Sequence, residues 1–211
     1  MSNKVILAFG DSLTEGWING GRQFYSFTSH LKQLLNNKGE SNHEVVNAGL
    51  SGEAVSPEMF LRLPTILSKY RHIDLLILQG GTNDILNYKN IVSAMNLFDE
   101  FKKLIDTALN YNVKKICALT IMEGYYTASD NAVLSHMECN KIRLNFNKQL
   151  CDYVQSCGND KIFCCDVSSK LPLFSLQSAE QKILWDDLLH PSVCGYKNMA
   201  LLIYNEINGK F

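Results

Sequence analysis

Short apolar runs alternate with longer amphipathic stretches along this chain. Val5-Ile6-Leu7-Ala8-Phe9 is uninterrupted and stops at Gly10, which predicts a strand buried on both faces. From about Phe24 to Asn36 the apolar positions fall at Phe24, Phe27, Leu31, Leu34 and Leu35, the spacing of one helical face. Glu44 to Asn47 predicts a second short strand. A helix follows from about Pro57 to Tyr70, with proline suited to its first turn. Leu75 to Leu78 predicts a third strand, ended by Gly80-Gly81. A long helix is predicted from about Ile91 to Asn110, on Met95, Leu97, Phe98, Phe101, Leu104, Ile105 and Leu109. Val113 to Leu119 reads as a fourth strand despite Lys114 and Lys115. Ser135 to about Cys157 reads as a helix, Ile162 to Cys165 as a fifth strand and Tyr196 to Ile207 as a closing helix.

Strands alternating with helices of this length imply the α/β class, with a parallel five-stranded sheet covered on both faces. No repeat, linker or charge run divides the chain, so a single domain over residues 1–211 is expected. In such sheets ligands bind beyond the carboxyl ends of the strands. Those ends carry Gly10-Asp11-Ser12-Leu13, then Gly49-Leu50-Ser51-Gly52, then Gly81-Thr82-Asn83-Asp84, and later Asp187-Leu188-Leu189-His190.

These residues suit acyl transfer. A serine hydroxyl needs an adjacent base to become a nucleophile. Ser12 sits where a strand gives way to a turn, and His190 is the candidate base. Asp187 is the candidate to orient the imidazole, because triads are recognised by role and not by order in the chain. Asp186 is a neighbouring alternative that one residue's shift in a turn aims elsewhere. The developing oxyanion would take donors from the Ser12 N–H, the Gly52 N–H and the Asn83 side-chain amide. Trp17, Arg22 and Glu15 follow the serine and are candidates to line a pocket. Glu123-Gly124-Tyr125-Tyr126 follows the fourth strand and is a candidate wall or lid, with Tyr125 as a substrate contact. Asp11 reads as a hydrogen-bonding brace of the loop. His30, His43 and His72 read as surface or helix-face residues.

The four blocks resemble those of the SGNH (GDSL-type) hydrolase superfamily, and they run from Gly10 to His190. The resemblance implies a flavodoxin-like three-layer α/β/α sandwich. It also implies ester hydrolysis through an acyl-enzyme with no metal or other cofactor. Ser12, Asp187 and His190 stand in the catalytic places, and Ser12, Gly52 and Asn83 in the oxyanion places. The substrate is left open among small or medium acyl esters, thioesters, lysophospholipids and acetylated sugars. The G-x-S-x-G elbow of the α/β-hydrolases is absent. A non-catalytic binding module on the same fold would be expected to lack one of the triad residues. A nucleotide-binding one would want a phosphate cradle, and Gly10 to Gly16 has no lysine.

Composition removes other classes. With 20 Lys+Arg against 21 Asp+Glu the net charge is −1, which argues against a nucleic-acid groove. No run approaches the roughly 18 apolar residues of a membrane span. Val5 to Phe9 is too short for a secretory segment, so the expected address is the cytoplasm. The seven cysteines form no C-x-x-C pair and are expected to be mostly buried, reduced thiols. His136-x-x-Cys139 falls short of a metal-ligand set.

Overall fold

The computed structural model describes residues 4–37, 42–87, 96–111, 113–126 and 134–211. Five parallel strands form the central sheet: β1 (Lys4–Gly10), β2 (His43–Gly49), β3 (Ile73–Leu78), β4 (Val113–Leu119) and β5 (Ile162–Cys165). Their spatial order is β2-β1-β3-β4-β5. This is the flavodoxin-like doubly wound order, whose switch point lies between β1 and β3. The helices among the described residues are α1 (Ser12–Glu15), α2 (Phe27–Asn36), α3 (Phe60–Leu67), α4 (Thr82–Asn87), α5 (Leu97–Leu109), α6 (His136–Ser156), α7 (Val167–Lys170), α8 (Ser178–Leu184) and α9 (Val193–Ile207).

Strand alternation sorts side chains into two apolar layers. Leu7, Phe9, Leu76, Leu78, Ile116 and Ala118 pack with Leu63, Phe101, Ile105, Phe146 and Leu150 of α3, α5 and α6. Ile6, Ala8, Leu75, Ile77, Cys117 and Leu119 pack with Phe27 and Leu31 of α2 and Tyr196, Met199 and Ile203 of α9 on the opposite face. All six residues of β3 are buried, as a central strand covered on both sides requires. Among the described residues, no helix is long and apolar enough to cross a membrane.

Several helix limits differ from the expectation. The first long helix begins at Phe27, because the Ser26 side chain accepts from the Thr28 amide and caps it. Phe24 instead pairs with Trp17 in a two-residue antiparallel ladder, Trp17–Ile18 with Gln23–Phe24. The stretch from Val55 to Met59 is a wide turn with Ser56 extended, so α3 starts at Phe60 and stops at Leu67. An extended residue before proline is the expected effect of the ring on its neighbour. The Ile91 to Met95 part of the predicted long helix lies outside the described residues, and α5 runs from Leu97. Ser135 caps α6 through a reciprocal box with Glu138. Ser192 caps α9, which begins at Val193, three residues before the expected start. His43, expected at the surface or on a helix face, is buried at the head of β2 against Asn36 and the Phe211 ring. Cys117, Cys139 and Cys165 are buried, Cys194 is exposed, and none of the seven thiols is in a disulfide.

Phe101 is fully buried, and its ring meets Phe146 edge-on at 5.2 Å. Phe101→Ala should lower the unfolding free energy by about 3–5 kcal/mol in urea denaturation. A loss below about 1 kcal/mol would contradict the close packing of α5 on α6.

Candidate active site

β1 pairs along its length with β2, ending in the Gly10–Gly49 match, and with β3 as far as Phe9–Leu78. The chain segments that leave these three strands therefore start side by side. Ser12 opens α1 directly beyond β1, and the Asp11 side chain caps that turn by accepting from the Leu13 amide at 2.9 Å. α1 packs closely on the end of β2. A Cβ at Gly49 would stand 2.1 Å from the Glu15 backbone nitrogen. The Glu15 carboxylate accepts from both the amide (2.8 Å) and the hydroxyl of Ser51. Gly52 follows at φ +85°, a left-handed conformation that suits glycine. Asn83 lies in the first turn of α4, beyond β3.

His190 comes from the segment between α8 and α9. Trp185 and Pro191 bridge its base, and the Asp186 amide returns to the His190 carbonyl at 2.9 Å. Ser12 Oγ stands 3.0 Å from His190 Nε2, and His190 Nδ1 stands 2.9 Å from Asp187 Oδ2. A carboxylate only accepts, so Nδ1 carries the ring proton and a neutral Nε2 is free to accept from the serine hydroxyl. Asp186 is engaged elsewhere, accepting from the Asn19 amide at 2.6 Å. Trp17 stacks on the imidazole, with ring centres 5.7 Å apart and planes at 26°.

A cavity of about 380 Å³ opens over these groups. Its polar wall is Ser12, Ser51, Gly52, Asn83 and His190, and its apolar wall is Trp17, Leu86 and Leu189. Asn83 Nδ2 donates to the Glu53 carbonyl at 2.8 Å, which leaves its second N–H to donate elsewhere. Among the described residues, neither the Ser12 nor the Gly52 amide has an acceptor.

Three of the candidate pocket residues are absent from the wall of this cavity, Glu15 being engaged by Ser51. Arg22 is exposed at the end of the turn Asn19–Gly21. Tyr125 is 46% exposed and stacks on His136, so it meets the site only through its backbone amide, which donates to Leu188 at 2.7 Å. Glu123 accepts from the Leu173 and Phe174 amides, and Tyr126 is buried. Residues 127–133, beyond the segment read as a wall or lid, lie outside the described residues. Ser51, Leu86 and Leu189 line the cavity without having been singled out. Two of them sit inside the quoted blocks. Leu86 follows Asn83 by three residues, so it shares its helical face. Among the described residues, no three His, Cys, Asp or Glu side chains group as a metal site.

A model of the GDSL-like lipase/acylhydrolase family matches residues 8–197. The chain belongs to the GDSL-like lipase/acylhydrolase family. It is accordingly a carboxylic ester hydrolase. Solved GDSL-type structures share its fold. A member of the lipolytic G-D-S-L family from Veillonella parvula superimposes with a TM-score of 0.72 at 20% identity, covering 99% of this chain and 100% of that one. A carbohydrate acetylesterase from Sinorhizobium meliloti gives 0.70 at 17% identity over 99% and 100% of the two chains. An acetyl xylan esterase gives 0.69 at 20% identity over 96% and 99%. No curated protein matches the chain in sequence.

The carboxylates of this GDSL site divide by environment. Burial pushes Asp187 upward, but hydrogen bonds from the His190 ring and amide and from the Leu189 amide outweigh it and hold its pKa below the ordinary value. Asp11 is fully buried with its Oδ2 unpartnered, and burial raises it from 3.8 to about 6. Folding thus makes Asp11 hold a proton that the unfolded chain has already released, so its contribution to stability declines as pH rises through that window. Asp11→Asn removes the titration. Its stability relative to the wild type should rise by about 3 kcal/mol between roughly pH 4 and pH 7, measured by chemical denaturation. An unchanged difference would mean that Asp11 is not held in a desolvated site.

Proposed function

We propose that the protein is a serine esterase acting on small or medium acyl esters, with the whole chain working as one domain. The observation that carries this reading is the hydrogen-bonded series from Ser12 through His190 to Asp187, at 3.0 and 2.9 Å. Ser12 Oγ attacks the ester carbonyl as His190 Nε2 takes its proton. Asp187 holds the imidazole in the required tautomer and stabilises its cation. The Ser12 and Gly52 amides and the free N–H of Asn83 hold the negative oxygen of the tetrahedral intermediate. The intermediate collapses, the C–O bond to the alcohol breaks, and His190 returns its proton to the leaving oxygen. Water then attacks the acyl-Ser12 ester, again giving its proton to His190. The acid leaves and Ser12 regains its hydrogen.

The cavity supports the substrate size. About 380 Å³, with one wall of Trp17, Leu86 and Leu189, suits a short acyl chain. A second reading, a carbohydrate acetylesterase on the same groups, is favoured by this small cavity and by fold neighbours described as a carbohydrate acetylesterase and an acetyl xylan esterase. Acetate release from acetylated sugars separates it from a simple esterase.

Ser12→Ala should abolish hydrolysis of p-nitrophenyl acetate in a folded protein. Turnover retained above about a thousandth of wild type would rule Ser12 out as nucleophile. Asp187→Asn should lower kcat by about 10⁴-fold, because the ring loses its tautomer control. In a p-nitrophenyl series, kcat/KM should fall at least about tenfold from butyrate to palmitate, as expected of a pocket this small. A preference for palmitate would turn the reading toward long-chain thioesters or lysophospholipids.

A further inference from the structure

Resting on the esterase reading above, we propose that Arg62 is the positioning residue of Asn83, the side-chain oxyanion donor, which it fixes through the backbone carbonyl of Glu53. Arg62 lies on α3 and is absent from the cavity wall. Its side chain is 18% exposed, and its guanidinium lies over the Phe9 ring, 4.1 Å from the ring centre. From there it reaches three separate segments. Nε donates to both Glu53 carboxylate oxygens at 2.7 Å, and Nη2 meets Oε2 at 2.5 Å. Nη1 donates to the Ala48 carbonyl at 2.9 Å and Nη2 to the Gly10 carbonyl at 3.1 Å.

Those acceptors are the end of β1, two residues before Ser12, the end of β2, and the residue directly after Gly52. One cation therefore ties the ends of β1 and β2 to the residue after Gly52, and it reaches Asn83 through the Glu53 carbonyl. Glu53 is the point where the grip becomes directional. Its buried carboxylate is held by Arg62, and its carbonyl accepts the Asn83 amide at 2.8 Å. Two residues on, the Val55 amide donates to the Asp84 carboxylate at 2.9 Å. The stretch Glu53 to Val55 is thus stretched between Arg62 on one side and the first turn of α4 on the other. A planar fork with five donors satisfies this set, and a lysine ammonium, a point charge, does not. A displacement of about 1 Å at a reacting centre costs about 10²-fold in rate.

A double-mutant cycle on p-nitrophenyl acetate tests the role. Wild-type turnover that disappears in Ser12→Ala first establishes the esterase reading, independently of Arg62. Turnover indifferent to Ser12 would sink that reading and this role with it. Arg62→Lys should then lower kcat by about 10- to 100-fold while KM changes less than about threefold. In an Asn83→Ala background the same substitution should cost less than about threefold, because the group it positions is gone. An undiminished loss in that background, an unchanged kcat in the wild-type background, or a rise in KM alone overturns the proposal. If Arg62→Lys does not fold, Glu53→Gln is read in its place. It keeps the carbonyl and weakens the charge-assisted grip, and the same outcomes decide.

Discussion

At the carboxyl end of β1 two backbone hydrogen bonds stitch three segments to one point. The Leu50 amide donates to the Gly10 carbonyl at 3.0 Å, and the Gln79 amide donates to the Phe9 carbonyl at 3.0 Å. They extend the parallel ladders β1–β2 and β1–β3 past the strands themselves. Every group on the nucleophile side of the cavity leaves from this junction: Ser12 beyond β1, Gly52 beyond β2 and Asn83 beyond β3. A doubly wound sheet has its crevice at the switch point because the chains on either side of it turn away in opposite directions. Here the crevice lies between β1 and β3. The close approach of Gly49 to Glu15 keeps the two loops on its near side packed as one unit. The reactive geometry is therefore inherited from main-chain pairing, whose tolerance is a fraction of an ångström.

Electrostatics divides the carboxylates of this region. Asp187 receives three hydrogen bonds, two of them from backbone amides, and stays ionised to hold the imidazole proton. Asp11 and Asp84 are more deeply buried, and burial raises both to about 6. Their hydrogen bonds go to the Leu13 and Val55 amides, so they brace the turns that carry Ser12 and Gly52 and do not contact the reacting groups.

The sheet was legible because the central strands β1 and β3 are short, mostly apolar runs ended by glycine or a polar turn, and β2, β4 and β5 hold shorter apolar cores between such turns. The four polar blocks were legible because acyl transfer demands particular residue types at strand ends. What escaped was set by long-range partners. Gly10 to Gly16 and Gly81 to Asp84 read as turns where the structure has the short helices Ser12–Glu15 and Thr82–Asn87, since a helix of one or two turns has too little apolar periodicity to register. Phe24 fits the helical spacing but is claimed by Trp17 across a two-residue ladder. Arg22 and Tyr125 lie near the blocks in sequence and apart from the cavity in space, because the turn after Trp17 and the stack on His136 carry them away. Arg62 carried no motif at all. Its proposed role arises from a carboxylate 9 residues distant and carbonyls 14 and 52 residues distant, which no local pattern announces.

The two halves of the site are held by different kinds of force. The nucleophile half is locked by sheet ladders. The base half, a loop 178 residues away in sequence from Ser12, lies outside the sheet. It is fixed by the Trp185–Pro191 bridge, by the Asp186 contact to Asn19, by the Leu188 carbonyl to Tyr125, and by the stack of Trp17 on the imidazole. Trp17 is the member that belongs to both halves. It follows the α1 turn, its carbonyl accepts from Tyr196 of α9 at 3.1 Å, and its ring forms one wall of the cavity. Leu189, another apolar wall of the cavity, is the immediate neighbour of His190. Substrate fit and base alignment are therefore not independent variables in this fold. A side chain that presses on Leu189 or Trp17 also presses on the imidazole or its neighbour, so in the proposed reaction the walls that meet the substrate are those that border the base.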